Sequence, residues 1–195
     1  MTHHQWLVFL PAAIFVAASP GAGNFLALSN GLRGGLRPAI LALSGRCAAF
    51  VILIVLVMAG VGALLSASAI AFTILKWAGV AYLIWLGVRA WRSDALPVTE
   101  APETVNFSWR LLMVREFTVA ITNPKAILLF TAFLPQFVVP AQPMVPQFMT
   151  LGAAYVLIEV LAASGYALAG SRIQRLRLTR GGVRRVNRRA MKEFG

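Results

Sequence analysis

Two short stretches place residues able to bind a small polar molecule inside long apolar runs. The first is Ser19-Pro20-Gly21, with Asn24 one turn on; the second is Thr122-Asn123-Pro124-Lys125. Proline removes a backbone donor and obstructs the carbonyl one turn back, so a helix bends or breaks at each point. In lipid, the freed backbone groups are tolerated only where protein or a water-filled cavity satisfies them. The chemistry this suggests is binding without reaction. Helix N-termini created by the breaks offer donors to a carboxylate, and freed carbonyls accept from an ammonium group. Ser19, Asn24, Thr122 and Asn123 add neutral donors and acceptors, a mixture that suits a small zwitterion. The alternative is that both breaks are kinks that serve packing alone.

Three charged residues lie deep in the same runs. Arg46 is nine residues past Arg37, Lys125 ten past Arg115 and Glu159 thirteen before Arg172. On helices these are roughly 13–20 Å from the basic edge. A charge at the centre of a lipid-embedded helix costs about 2.5–3.5 kcal/mol even on the milder scale, so the three are expected to face inward and pair. Glu159 then has Arg46 and Lys125 as its deep partners. The pair with Arg46 reads either as structural or as a coupling site for a proton, and Arg46 could instead snorkel to the basic face. Lys125 either caps the broken helix or binds substrate. Lys76 reads as snorkelling, and Arg115-Glu116 as an interfacial pair. No metal or cofactor is expected and no enzyme constellation is present. The chain has no HExxH, no Cys/His cluster and no phosphate-cradling GxxxxGK[ST]. Gly21-Ala22-Gly23 and Gly60-Val61-Gly62 lie in apolar runs with no βαβ context for a nucleotide.

The elements that must position these residues are membrane helices. The 195 residues are 59% hydrophobic and only 12% charged, against about 25% charged for soluble domains. Segments of about 20 apolar residues can span a bilayer, and five qualify: 5–29, 38–66, 70–92, 111–138 and 145–171. The expected fold is an all-α, polytopic membrane bundle in which helices 1 and 4 are broken by proline. Residues 1–171 form one transmembrane domain, with halves 1–92 and 110–171 joined by a polar linker over 93–109. An odd number of crossings in the first half inverts the second half against it, so the two proline breaks correspond as in an inverted repeat. Ala42, Gly45, Ala49, Ala59, Gly60 and Gly62 suit close helix approach. Trp77, Tyr82, Trp85 and Trp91 read as packing or interfacial residues, with Arg89 and Arg92 as anchors.

Net charge is +12, and nine of the 18 Lys and Arg fall between Arg172 and Lys192. The tail 172–195 therefore suits an anionic lipid surface better than nucleic acid. The 30–37 connection and the 89–115 region are also basic, whereas the N-terminus and the 139–144 loop carry no Lys or Arg. The positive-inside rule puts the N-terminus outside and the tail in the cytoplasm. His3 and His4 precede the first apolar run, where a signal peptide would want Lys or Arg. One cysteine, Cys47, excludes an intrachain disulfide and reads as a small buried hydrophobe.

SPGAGNFLALSNGLRGGLRPA, LKWAGVAYLIWLGVRAWRS and REFTVAITNPKAILLFTAFLPQF together resemble the LysE/RhtB family of bacterial amino-acid exporters over about residues 5–175. The resemblance implies an inner-membrane exporter of amino acids or related small metabolites, driven by proton antiport. It also implies six helices in two inverted halves, often as a homodimer. By position, Pro20, Gly21 and Asn24 match the first motif, and Asn123, Pro124 and Lys125 match the second. Ala22 stands in place of the second proline of SPGP, and Arg46 lies near the position where many members carry an aspartate. The sixth helix is expected but not found before Gly195. Two other readings fit parts of the chain: a non-transporting scaffold acting through its basic tail, and a truncated, inactive relic of such an exporter.

Overall fold

The computed structural model describes residues 3–67, 70, 73, 74, 77, 81, 84, 85, 88, 108–139 and 142–193, with side chains described up to residue 176 apart from 4 and 61–67. Gly62 is described in its backbone alone, and the readings placed on Lys76, Tyr82, Arg89, Trp91, Arg92 and most of the linker lie outside those residues. So does most of the expected segment 70–92, whose eight described positions are helical.

Every regular element among the described residues is helical. In order they are α1 (His3–Ala18), α2 (Ala22–Gly34), α3 (Leu36–Ala67), α4 (Trp109–Thr122) and α5 (Pro124–Leu128). A π-helical turn (Leu129–Phe133), a 3₁₀ turn (Leu134–Phe137) and α6 (Met144–Glu193) follow. Two stretches, Leu36–Gly60 and Met144–Leu176, are long and apolar enough to cross a membrane as single helices. The pairs α1–α2 and α4 with Pro124–Phe137 pass the same test but bend by 55° and 54°. Counting each bent pair as one span gives four among the described residues. Pro20 alone suffices for the first bend, although Ala22 replaces the second proline of the motif.

The prolines do different local work. Pro124 sits at the first position of α5, where its missing N–H is not needed. The Asn123 side chain caps that turn by accepting from Lys125 N at 3.0 Å. Gly35, between α2 and α3, has φ 81°, a backbone conformation that glycine adopts without a Cβ penalty.

Two helix pairs pack backbone against backbone. A Cβ on Gly31 would overlap the Ala167 carbonyl, and one on Gly170 would overlap that of Leu28, so α2 and α6 touch closely. A Cβ on Gly45 would overlap the Met113 carbonyl, which holds α3 against α4 in the same way. Without a hydrophobic driving force between helices in lipid, such approach is a main source of packing energy. The opposite end is filled by rings: Phe9, Phe133 and Phe137 lie with centroids 5.0–6.0 Å apart. There Gln147 ties down the 139–143 loop, accepting from Val139 N and donating to the carbonyls of Val139, Gln142 and Pro143.

Candidate functional site: a buried charge cluster beside two helix breaks

Arg46 enters the middle of the bundle from α3 and is 1% exposed. A guanidinium carries five N–H donors, and the structure gives all five a partner. Nε donates to Glu116 Oε2 at 2.9 Å. One terminal nitrogen donates to the same oxygen and to the Gly23 carbonyl, both at 2.6 Å. The other donates to Glu159 Oε1 at 3.2 Å and to Asn24 Oδ1 at 3.4 Å. Four elements, α2, α3, α4 and α6, therefore meet at one side chain. The snorkelling alternative for Arg46 is overturned. Ten residues into its helix, it lies about 15 Å from the basic end, while two carboxylates lie within direct reach.

Arg46 and Glu159, the two deep charges expected to pair, are brought together. The reading of Arg115-Glu116 as an interfacial pair is corrected. Glu116 is 1% exposed and its carboxylate bonds Arg46 and, through Oε1, Asn30 Nδ2 at 2.9 Å. Adjacent helical residues do not face one another, so the step that leaves Arg115 half-buried turns Glu116 into the core. Tyr155 completes the cluster, its hydroxyl donating to Glu159 Oε2 at 3.0 Å. Its ring stands edge-on to Phe130, with Phe50 beside both.

The first break lies against this cluster, and the carbonyls that it frees are occupied. Ser19 Oγ donates to Val16 O, Asn24 Nδ2 to Ala17 O and Ser19 O, and Tyr166 Oη to Ala18 O. Lys125 reaches across from the second break to donate to Ser19 O at 3.1 Å. The two breaks are thus joined by one side chain. A Cβ on Gly21 would stand 3.6 Å from Lys125 Cδ, in ordinary contact. The expectation that freed carbonyls would stand ready for an ammonium group gives way here, since each already receives a protein donor.

Of the residues singled out in the sequence, Ser19, Gly21, Asn24 and Lys125 adjoin the first break, and Asn123 shapes the second. Pro20, Thr122 and Pro124 are exposed, so the prolines contribute the bends rather than contacts within the cluster. Asn30, Tyr155 and Tyr166 were not singled out, and Glu116 was read only as half of an interfacial pair. Tyr155 stands four residues before Glu159 and Tyr166 seven after it, spacings that share a helix face; that signal was available. Among the described residues no group of three His, Cys, Asp or Glu could hold a metal ion.

Comparison with known proteins decides the family. The sequence profile of the LysE type translocators matches residues 14–190. The chain belongs to the LysE type translocator family. A membrane protein of Vibrio cholerae is 38% identical to this translocator over 175 residues, covering 90% of the chain and 85% of the relative. A homoserine/homoserine lactone efflux protein of Salmonella typhimurium is 37% identical, covering 89% and 84%. A leucine efflux protein of Klebsiella pneumoniae is 29% identical, covering 90% and 84%. No solved structure matches this translocator significantly. The family match, with the apolar helices, makes the chain an integral membrane transporter.

Proposed function

We propose that this translocator exports amino acids or closely related small metabolites across the bacterial inner membrane by proton antiport. Its two inverted halves, 1–92 and 110–171, would rock about the joined breaks. The basic tail 172–195 would lie on the cytoplasmic face against anionic lipid, with the N-terminus outside, and two copies would form a homodimer. Efflux of homoserine, its lactone and leucine is the named activity of the relatives, which supports this substrate class.

The observation that carries the site assignment is the Lys125 bond across the two breaks. Substrate would bind among Ser19, Gly21, Asn24, Asn123 and Lys125, with Pro20 and Pro124 fixing the bends. An ammonium has three donors, and among the described residues Lys125 uses one of them, on Ser19. The substrate carboxylate would take the others, together with first-turn N–H groups of α2, whose N-cap Gly21 offers no side chain. Arg46 would not bind the carboxylate, because all five of its donors are engaged. Arg46 and Glu159 would instead carry the coupling.

The test is export from cells producing the intact chain beside the Pro20→Leu/Pro124→Leu variant, with amino acids in the medium followed over time. Faster release of a few amino acids, lost in the variant although it inserts normally, is expected. Equal release by both would remove the break-centred mechanism. No release by either would favour the scaffold or relic reading.

A further inference from the structure

Arg46 holds its two carboxylates unequally. Glu116 receives Nε and a terminal nitrogen on one oxygen, at 2.9 and 2.6 Å, and the Asn30 amide on the other at 2.9 Å. Its side chain has no exposed surface. Among the described residues every polar atom bonded to it is a donor, so a proton on this carboxyl would meet no acceptor there. Glu159 differs in each respect. Its contact with Arg46 is longer, 3.2 Å, and its side chain keeps 8% exposure. Its other oxygen meets the Tyr155 hydroxyl at 3.0 Å, and a hydroxyl can turn from donor to acceptor. A proton on Glu159 Oε2 therefore keeps a hydrogen-bond partner.

We propose that Glu116 is the fixed counter-ion of Arg46, a positioning residue, and that Glu159 is the exchangeable one, leaving Arg46 when it takes up a proton. This deepens the exporter reading and rests on it. A proton from the aqueous phase adds to Oε2, and the carboxylate becomes a neutral carboxylic acid. The link from Arg46 on α3 to α6 is lost while its link to α4 remains. The charge carried by Arg46, Glu116 and Glu159 goes from one net negative to zero. Among the described residues, the charged or titratable groups besides Arg46 and Tyr155 that bear on Glu159 are Lys125 on α5, Tyr166 on α6 and Glu116 on α4, while α2 presents the neutral Asn24. Protonation of Glu159 therefore releases α6 from Arg46, while Arg46 keeps α3 tied to α4 through Glu116 and to α2 through Gly23 and Asn24.

The test uses the full chain in liposomes, with labelled leucine and homoserine as probes, with and without an imposed pH gradient. Glu159→Gln is expected to keep exchange of probe for probe and to lose all response to the gradient, giving a flat pH profile. Glu116→Gln is expected to lose exchange as well, and Glu116→Asp to recover it with the pH response intact. Glu159→Gln that still responds to the gradient, or Glu116→Gln that exchanges with a flat profile, would overturn the assignment. Infrared pH-difference spectra of the chain in detergent provide a readout independent of transport. Because four other acidic side chains also titrate, the readout is the difference between variants. Glu159→Gln should lose one carboxylic-acid band that the intact chain and Glu116→Asp both show, and identical spectra for the intact chain and Glu159→Gln overturn the proposal. If the intact chain moves neither probe, the exporter reading fails for them, and the band still decides which carboxylate titrates.

Discussion

A single arginine joins four helices because its guanidinium is a planar fork of donors that a lysine cannot reproduce. The carboxylates around it lie in the protein interior, where removing one member of a buried ionic cluster costs about 3–5 kcal/mol. Arg46→Gln is therefore expected to lower thermal stability in detergent by an amount in that range, and Arg46→Lys to restore only part of it. Groups in one network do not contribute additively. The Arg46→Gln/Glu116→Gln double variant should thus lose less stability than the sum of the two single changes, measured by the same melts. That Arg46 and Glu159 would meet followed from the cost of leaving either alone in lipid. Glu116 was hidden by its neighbour. Beside Arg115 and seven residues into its helix it resembled a surface pair, and only the roll of α4 against Gly45 turns it inward.

At the scale of elements, the bends and close approaches divide the work. The bends place Ser19 and Lys125 side by side, and glycines let α2 meet α6 and α3 meet α4 with backbone in contact. A Cβ at Gly45 would overlap the Met113 carbonyl, whereas one at Gly60, on the same helix, meets nothing within 4 Å among the described residues. Gly45→Ala is expected to destabilise by about 1–3 kcal/mol through overpacking. Gly60→Ala should be neutral or stabilising, since alanine is the better helix former by about 1 kcal/mol. Equal melting temperatures for the two variants would contradict the packing account. The proline positions made both bends readable in advance. The π-helical turn over Leu129–Phe133 left no such mark, because Leu, Phe, Thr and Ala are ordinary residues of a helical run. The side-chain capping of the α1 carbonyls was equally hidden, as Tyr166 comes from a helix more than 140 positions away in sequence.

At the scale of the whole molecule, composition alone specified a helical membrane protein, since so few charges cannot cover a soluble surface of this size. The basic tail is a direct continuation of α6, which runs unbroken from Met144 to Glu193. Gln174 fastens this helix to the end of α2 by donating to the Arg33 carbonyl at 3.0 Å. Truncation after Leu176 retains that bond. It is expected to leave export unchanged while weakening adsorption to anionic vesicles by about 1 kcal/mol per basic residue lost near the surface. Loss of export on this truncation would move function into the tail.

The most direct test of the central claim, that substrate binds where Lys125 joins the two breaks, is efflux of labelled homoserine and leucine from liposomes holding the purified chain or its Lys125→Met variant. The account predicts that the methionine variant folds and reconstitutes normally, yet efflux falls to the rate of protein-free liposomes. Removing a charged group that binds a carboxylate costs about 2–5 kcal/mol. Efflux from the Lys125→Met variant at the rate of the intact chain would contradict the account and leave Lys125 as the cap of a broken helix.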